Sequence, residues 1–331
     1  MKAIRLPQTG DAELLELIDR PIPDPGPHDL RLRVMAAGVN YADVLVRRGL
    51  YQPMPDMPAY PGLEVAGTVD AVGDRVTRFR PGDRVVANVP AGGYAQYALT
   101  REAMAAALPD DIDFDLAAGL PVAGMTAYHL THTVAAPEPG QFVVDYAAAG
   151  AVGSVVIGLA KTRGARVIAL VGSAEKAARA LELGADWAID YRAETDVPAR
   201  VRELTAGHGA DVIYDSVFGA AAHDDLAMAA PRARIVWYGI AGGLPNSKKL
   251  LAAMLRRFTD SPTMSLYHLI SSLRFDAARH AAGWPELFAA LRSGRARLPL
   301  AGVYPLAEAA RAHRKLESRA TMGKLVLRPW D

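Results

Sequence analysis

The chain has 331 residues, 51% of them hydrophobic, and carries 37 Lys and Arg against 36 Asp and Glu. That balance excludes the basic footprint of a nucleic-acid binder, and the absence of cysteine excludes disulfides, a thiolate nucleophile and cysteine-ligated zinc. No apolar run reaches the roughly 18 residues of a membrane span, and the opening Met-Lys-Ala-Ile-Arg-Leu-Pro lacks a signal peptide's pattern, so a cytoplasmic protein is expected.

The length suits two domains, each with its own core. In the first 120 residues, Leu30-Arg-Leu-Arg-Val-Met-Ala alternates in the period of a half-buried strand, and Glu64 to Val72 reads as another. Arg80-Pro-Gly-Asp-Arg84 marks a turn before Val85-Val-Ala, and Tyr94-Ala-Gln-Tyr-Ala-Leu reads as one more strand. Short strands punctuated by Pro and Gly predict a β-rich domain. From Asp115 a helical pattern runs through Met125 to Thr133. His129 and His132 fall three apart on it, a spacing open to metal ligation, but with no neighbouring acid pattern a structural role is the simpler reading.

The segment Gln141 to Lys161 carries the most information. A buried strand, the run Ala147-Ala-Ala-Gly150-Ala-Val-Gly153 and an apolar helix follow without a spacer. Small residues let the backbone approach a diphosphate, and the helix N-terminus offers N–H groups and a positive dipole to it. The next strand, Arg166-Val-Ile-Ala-Leu-Val-Gly172-Ser173, lacks the Asp or Glu that binds ribose hydroxyls in NAD-preferring enzymes, and Lys176 follows. A cation where a carboxylate would repel a 2′-phosphate points to NADPH. Helix 174–183, strand 187–191, helix 197–204, strand 211–216, helix 221–230 and strand 234–238 continue the alternation, which requires a parallel sheet with helices on both faces. Asp215 at a strand end looks catalytic in isolation, yet Asp there more often caps a loop.

Residues 246–292 read as helices with clustered bases (Lys248, Lys249, Arg256, Arg257). The charges read as a solvated face, and the segment is compatible with covering a cleft or forming an interface. A helix over 306–318 and a strand from Lys324 close the chain; such a strand needs a sheet to join, and the N-terminal domain is the candidate.

Ala37-Gly-Val-Asn-Tyr-Ala-Asp43, Arg48-Gly-Leu-Tyr51, Pro61-Gly-Leu-Glu-Val-Ala-Gly67, Pro81-Gly-Asp-Arg-Val85, the 147–153 loop, Ile189-Asp-Tyr-Arg192 and Glu317-Ser-Arg-Ala-Thr321 together resemble the zinc-free quinone oxidoreductase (ζ-crystallin-like) branch of the medium-chain dehydrogenase/reductase superfamily. The resemblance implies an α/β fold: a Rossmann doubly wound sheet over 123–258, and a β-rich GroES-like catalytic domain over 1–122 with 259–331. It implies an NADPH-dependent reduction of a quinone, without metal, in a homodimer joined at the sheet edge, for which strand 234–239 is the candidate.

It further places Asn40, Tyr51 and Thr126 around the nicotinamide and substrate, and Ala147, Gly150, Val152 and Gly153 at the diphosphate. Gly172, Ser173, Lys176, Tyr191 and Arg319 fall at the 2′-phosphate, and Ser216, Tyr238 and Gly239 along the cofactor. Tyr51 is open to two roles, wall or hydrogen-bond donor; Asn40 to positioning a reacting group or fixing a turn. The zinc enzymes' Gly-His-Glu is Gly62-Leu63-Glu64 here. Ala151 stands where the branch has glycine, Gly158 where glutamine is common, and Leu45 where an aromatic is common; the last two bear on substrate choice. Pro121-Val-Ala-Gly-Met-Thr126-Ala-Tyr128 also resembles enoyl reductases, so reduction of an enone, alkenal or enoyl thioester is the alternative. A non-catalytic NADPH-binding sensor or structural protein is a third.

Overall fold

The computed structural model describes residues 1–331 and divides into two units, Met1–Gly124 with Leu298–Asp331, and Met125–Arg297. The second unit is built on six strands in the order Trp187–Asp190, Arg166–Val171, Phe142–Tyr146, Ala210–Asp215, Ala229–Trp237, Thr263–Leu266. Every pairing is parallel. Numbered along the chain this is the order 3-2-1-4-5-6 of a doubly wound dinucleotide-binding sheet, whose order reverses beside the first strand. The strands are near-continuous apolar runs because helices cover both faces. One face packs Phe142, Val144, Tyr146, Ile213 and Ile235 against Val201, Ala222, Leu226 and Ala253 of the later helices.

Two expectations are corrected here. The strand beginning near Arg234 is not the sheet edge: Thr263–Leu266 pairs alongside it, Arg234 opposite Thr263 through Trp237 opposite Leu266. Its four residues, Thr-Met-Ser-Leu, are too few and too weakly alternating to show as a strand between helical patterns. The same pairing moves the domain boundary. Residues 259–297 belong with the dinucleotide-binding unit, not the N-terminal one, because this strand extends its sheet and Gly283 of helix Ala277–Arg292 packs against Tyr128 and Met125.

The first unit holds the expected β-rich domain. Its main sheet runs Leu300–Pro305, Lys324–Arg328, Asp29–Val39, Glu64–Val72, Arg84–Asn88, Ala105–Ala107, and Tyr97–Arg101 also pairs with Asp29–Val39. The terminal strand joins it as expected, antiparallel to Asp29–Val39 with Leu325 opposite Val39. Leu30, Leu32, Val34, Val65, Val85, Leu325 and Leu327 form its core, closed by Leu306, Ala309 and Ala312. The helical pattern from Asp115 is real but broken: Phe114–Ala117 and Met125–His129 are α-helical, separated by a wider turn over Leu120–Gly124. Pro121 has no N–H to offer that turn. No helix is long and apolar enough to cross a membrane.

Candidate active site

In the dinucleotide-binding unit, strand Phe142–Tyr146 ends directly in the small-residue loop. Ala147 takes a left-handed φ of 52°, and its carbonyl accepts the Gly150 N–H at 2.7 Å. Gly150 is the N-cap of helix Ala151–Thr162, with no side chain bonded into the cap and no acid in the first turn. The helical bonds begin with Ser154 N–H to Gly150 at 2.9 Å. The N–H groups of Ala151, Val152 and Gly153 therefore have no acceptor inside the helix, the arrangement that receives an anion.

Gly153 is required by close approach: a Cβ there would stand 2.5 Å from Ala148 Cα and 2.8 Å from the Ala147 carbonyl oxygen. Gly153→Ala is expected to push the loop off the helix and weaken NADPH binding by about 10–100-fold, for about 1–3 kcal/mol of overpacking; titrating intrinsic fluorescence with NADPH checks it. Ala151 lies within the helix and is not among the residues with left-handed φ, so its methyl demands no backbone shift. Gly158 faces inward: a Cβ there would overlap the Arg295 carbonyl and reach 2.6 Å from Ala296 Cα. The glycine serves packing within this unit.

The next strand supplies the second corner. Its parallel register sets Asp190 beside Val171, and the Tyr191 N–H bonds the Val171 carbonyl at 3.0 Å. Residues 191 and 192 thus lie along Gly172 and Ser173. A Cβ on Gly172 would fall 2.6 Å from the Tyr191 hydroxyl and 3.4 Å from Arg192 Nε. Ser173 caps helix Ala174–Glu182, its hydroxyl accepting the Lys176 N–H at 3.3 Å. Tyr191, Arg192, Ser173 and the first turn bearing Lys176 are thereby gathered around one glycine. Arg192 was not read as a site residue from sequence; the signal was available as a second cation just past the neighbouring strand. Arg319, expected in the same pocket, belongs to the other unit, exposed with a φ of 54° after helix Ala309–Glu317.

Along the strand ends, Gly239 is again required, because a Cβ would overlap the Ser216 carbonyl, and the Tyr238 hydroxyl bonds Ser216. Asp215 caps its loop, accepting N–H groups from Val217 at 2.6 Å and Phe218 at 3.0 Å. Thr126 is buried in helix Met125–His129. His129 bonds His280 at 3.1 Å and Thr133 at 2.9 Å, while His132 stacks on Tyr128. Burial lowers the pKa of both, as fits neutral rings built into the packing. No group of three or more His, Asp or Glu side chains is arranged to hold a metal ion.

In the first unit, Asn40 is the N-cap of helix Tyr41–Arg47 and 8% exposed. Its carboxamide N–H donates to Glu64 Oε1 at 2.8 Å, and its oxygen accepts from Lys324 Nζ at 2.7 Å. Asp43 accepts the backbone N–H groups of Asn40 at 2.9 Å and Gly62 at 3.1 Å, and the Tyr94 hydroxyl at 3.0 Å. Asn40 therefore fixes a turn and also holds a set side-chain orientation. Burial pushes the Asp43 carboxyl up to about 6, against these hydrogen bonds. Tyr51 is half-buried against the small cluster of Leu6, Val46 and Ala59. Burial and the nearby Asp43 both raise its pKa, so it stays a neutral phenol that can donate a hydrogen bond.

The chain matches the model of the zinc-binding dehydrogenases over residues 151–268 and that of the alcohol dehydrogenase GroES-like domain over 26–110. It is 38% identical to a quinone oxidoreductase of Pseudomonas aeruginosa over 331 residues, 99% of each chain. It belongs to the zinc-independent quinone oxidoreductase branch of the medium-chain dehydrogenase/reductase superfamily. The Escherichia coli quinone oxidoreductase solved with NADPH superimposes with a TM-score of 0.93 at 33% identity, covering 99% of this chain and 100% of that one. A 2-haloacrylate reductase from a Burkholderia species is 36% identical over 313 residues, 92% of each chain. Within this branch, Leu63 in place of the histidine of Gly-His-Glu leaves the chain without that metal ligand.

Proposed function

We propose that this protein is an NADPH-dependent reductase that delivers hydride to a quinone without metal. The observation that carries the reading is the corner around Gly172, where Ser173, Lys176, Tyr191 and Arg192 gather and the strand ends in Gly172-Ser173 in place of an Asp or Glu, Glu175 being the one acid in the first turn of the helix that follows. The glycine-lined turn at Gly150–Gly153 fits a diphosphate at the helix N-terminus. Ala147, Gly150, Val152 and Gly153 would hold the diphosphate, with Ser216, Tyr238 and Gly239 along the rest of the cofactor and Arg319 as a further cation for the adenosine end. NADPH, when bound, supplies the hydride.

Asn40, Tyr51 and Thr126 are the residues assigned to the acceptor. The neutral Tyr51 phenol donates a hydrogen bond to an oxygen that gains charge, without giving up its proton. A quinone suits such a site because its reduced oxygens are stable anions that water protonates, so orientation and a few hydrogen bonds suffice. The Burkholderia relative favours a second reading, reduction of an activated carbon–carbon double bond with the same cofactor. Following NADPH oxidation with quinones, alkenals and 2-haloacrylate separates the two.

The protein is further proposed to be a cytoplasmic homodimer, joined along strand Thr263–Leu266. That strand has one paired edge, and Leu266 is 78% exposed at its end, with Phe258 and Phe275 nearby in the chain also exposed. An open apolar edge invites a second copy. Light scattering at micromolar concentration is expected to give the dimer mass, and Leu266→Lys to shift it to the monomer; a wild-type monomer rejects the interface.

A further inference from the structure

Three sequence-distant residues of the first unit meet in its sheet because of register. Leu325 pairs with Val39, which sets Lys324 beside Asn40; Ala37 pairs with Val65, which sets Glu64 beside Gly38. Lys324 and Glu64 are 1% and 0% exposed and form a direct ion pair. Glu64 Oε2 also accepts the Val122 N–H at 2.7 Å. Gly38 makes room for this carboxylate: a Cβ there would collide with Glu64 and come 2.5 Å from the Ala118 carbonyl oxygen.

The chemistry of the two ions decides how Asn40 is turned. A carboxylate only accepts, so it takes the amide nitrogen of Asn40; an ammonium only donates, so it takes the oxygen. A carboxamide between hydroxyls, which both donate and accept, is free to flip by half a turn, whereas between these two ions a flip would set like poles together. The carboxamide keeps one uncommitted N–H, and Asn40 retains a small exposed surface.

We infer that Glu64 and Lys324 are positioning residues for the reduction: the buried ion pair locks Asn40 so that an N–H donor, and not a carbonyl oxygen, is presented to the acceptor's carbonyl. The inference rests on the reading that Asn40 faces the acceptor. A buried ion pair is poor evidence of stabilisation, since replacement by neutral groups is often neutral for folding. The orientation it imposes on Asn40 gives the pair a role apart from stability.

The test uses the full-length protein with NADPH and menadione. Lys324→Met alone leaves Glu64 buried without its counter-charge, which costs stability by itself, so the deciding variant is Glu64→Gln/Lys324→Met, which removes both charges. That variant is expected to melt near the wild-type temperature and keep its KM for NADPH within about twofold, while kcat falls roughly tenfold or more. The side-chain amide resonances of Asn40, assigned by their loss in Asn40→Ala, are expected as one sharp pair in the wild type and as shifted or doubled signals in the double variant. Wild-type kcat with unmoved resonances, or a kcat loss matched by a loss of folded protein, overturns the inference. If the resonances respond as expected but even the wild type oxidises NADPH with no acceptor, the quinone reading fails and the locking of Asn40 stands.

Discussion

Asp145→Leu is expected to make the protein more stable. Asp145 lies on the central strand of the dinucleotide-binding sheet, between Tyr214 and Ala169. It is completely buried, and neither carboxyl oxygen has a hydrogen-bond partner. Burial therefore holds its pKa well above the ordinary carboxylate range. Removing an unsatisfied buried polar group gains about 1–3 kcal/mol, which in a unit of this size moves an unfolding temperature by about 2–4 °C per kcal/mol. The sign of the pH dependence follows from linkage. The folded carboxyl holds its proton above the unfolded value of about 3.9, so wild-type stability falls as pH rises from there through the folded pKa. The gain from leucine should thus be small near pH 4 and largest at neutral pH and above. Calorimetry across that range checks it; a variant less stable than wild type at neutral pH would show that Asp145 has a partner in solution.

Substitutions at Lys176 and Arg192 are expected to change cofactor preference more than any others. Charge-assisted hydrogen bonds to a phosphate contribute about 1.5–3 kcal/mol each, so losing one costs roughly tenfold or more. Lys176→Ala should lower kcat/KM for NADPH by about that factor, and Lys176→Ala/Arg192→Ala by about a hundredfold or more if the two act separately. NADH has no 2′-phosphate, and its kcat/KM should stay nearly constant in both variants. Equal losses with both cofactors would mean that these cations serve the loop's structure and not the phosphate.

The parts of the fold that could be read in advance were those encoded locally. Strand, small-residue loop and apolar helix follow one another from Gln141 to Lys161, and the alternation after them dictates a parallel sheet. The terminal strand announced itself because Lys324-Leu-Val-Leu-Arg has no local partner. What stayed hidden depends on pairing. Thr263–Leu266 becomes a strand because the edge at Arg234–Trp237 is there to receive it, and with it went the domain boundary and the edge.

The candidate site divides in the same way. Gly150, Gly153, Gly172 and Lys176 follow from spacing along one stretch of chain. Arg192 shows in sequence only as a cation just past a strand, and its place beside Gly172 needed the register; the Asn40–Glu64–Lys324 group needed two registers at once. Gly38 and Gly158 look unremarkable in sequence because what excludes a side chain there, Glu64 in one case and the 295–296 backbone in the other, lies far along the chain.

The most direct test of the central claim is the initial rate of NADPH and NADH oxidation by the purified protein with menadione, and with 2-haloacrylate and an alkenal in its place. Rapid turnover of menadione, selective for NADPH and absent with the alkenes, is the predicted result. Turnover confined to the alkenes, or equal rates with NADH, would contradict it.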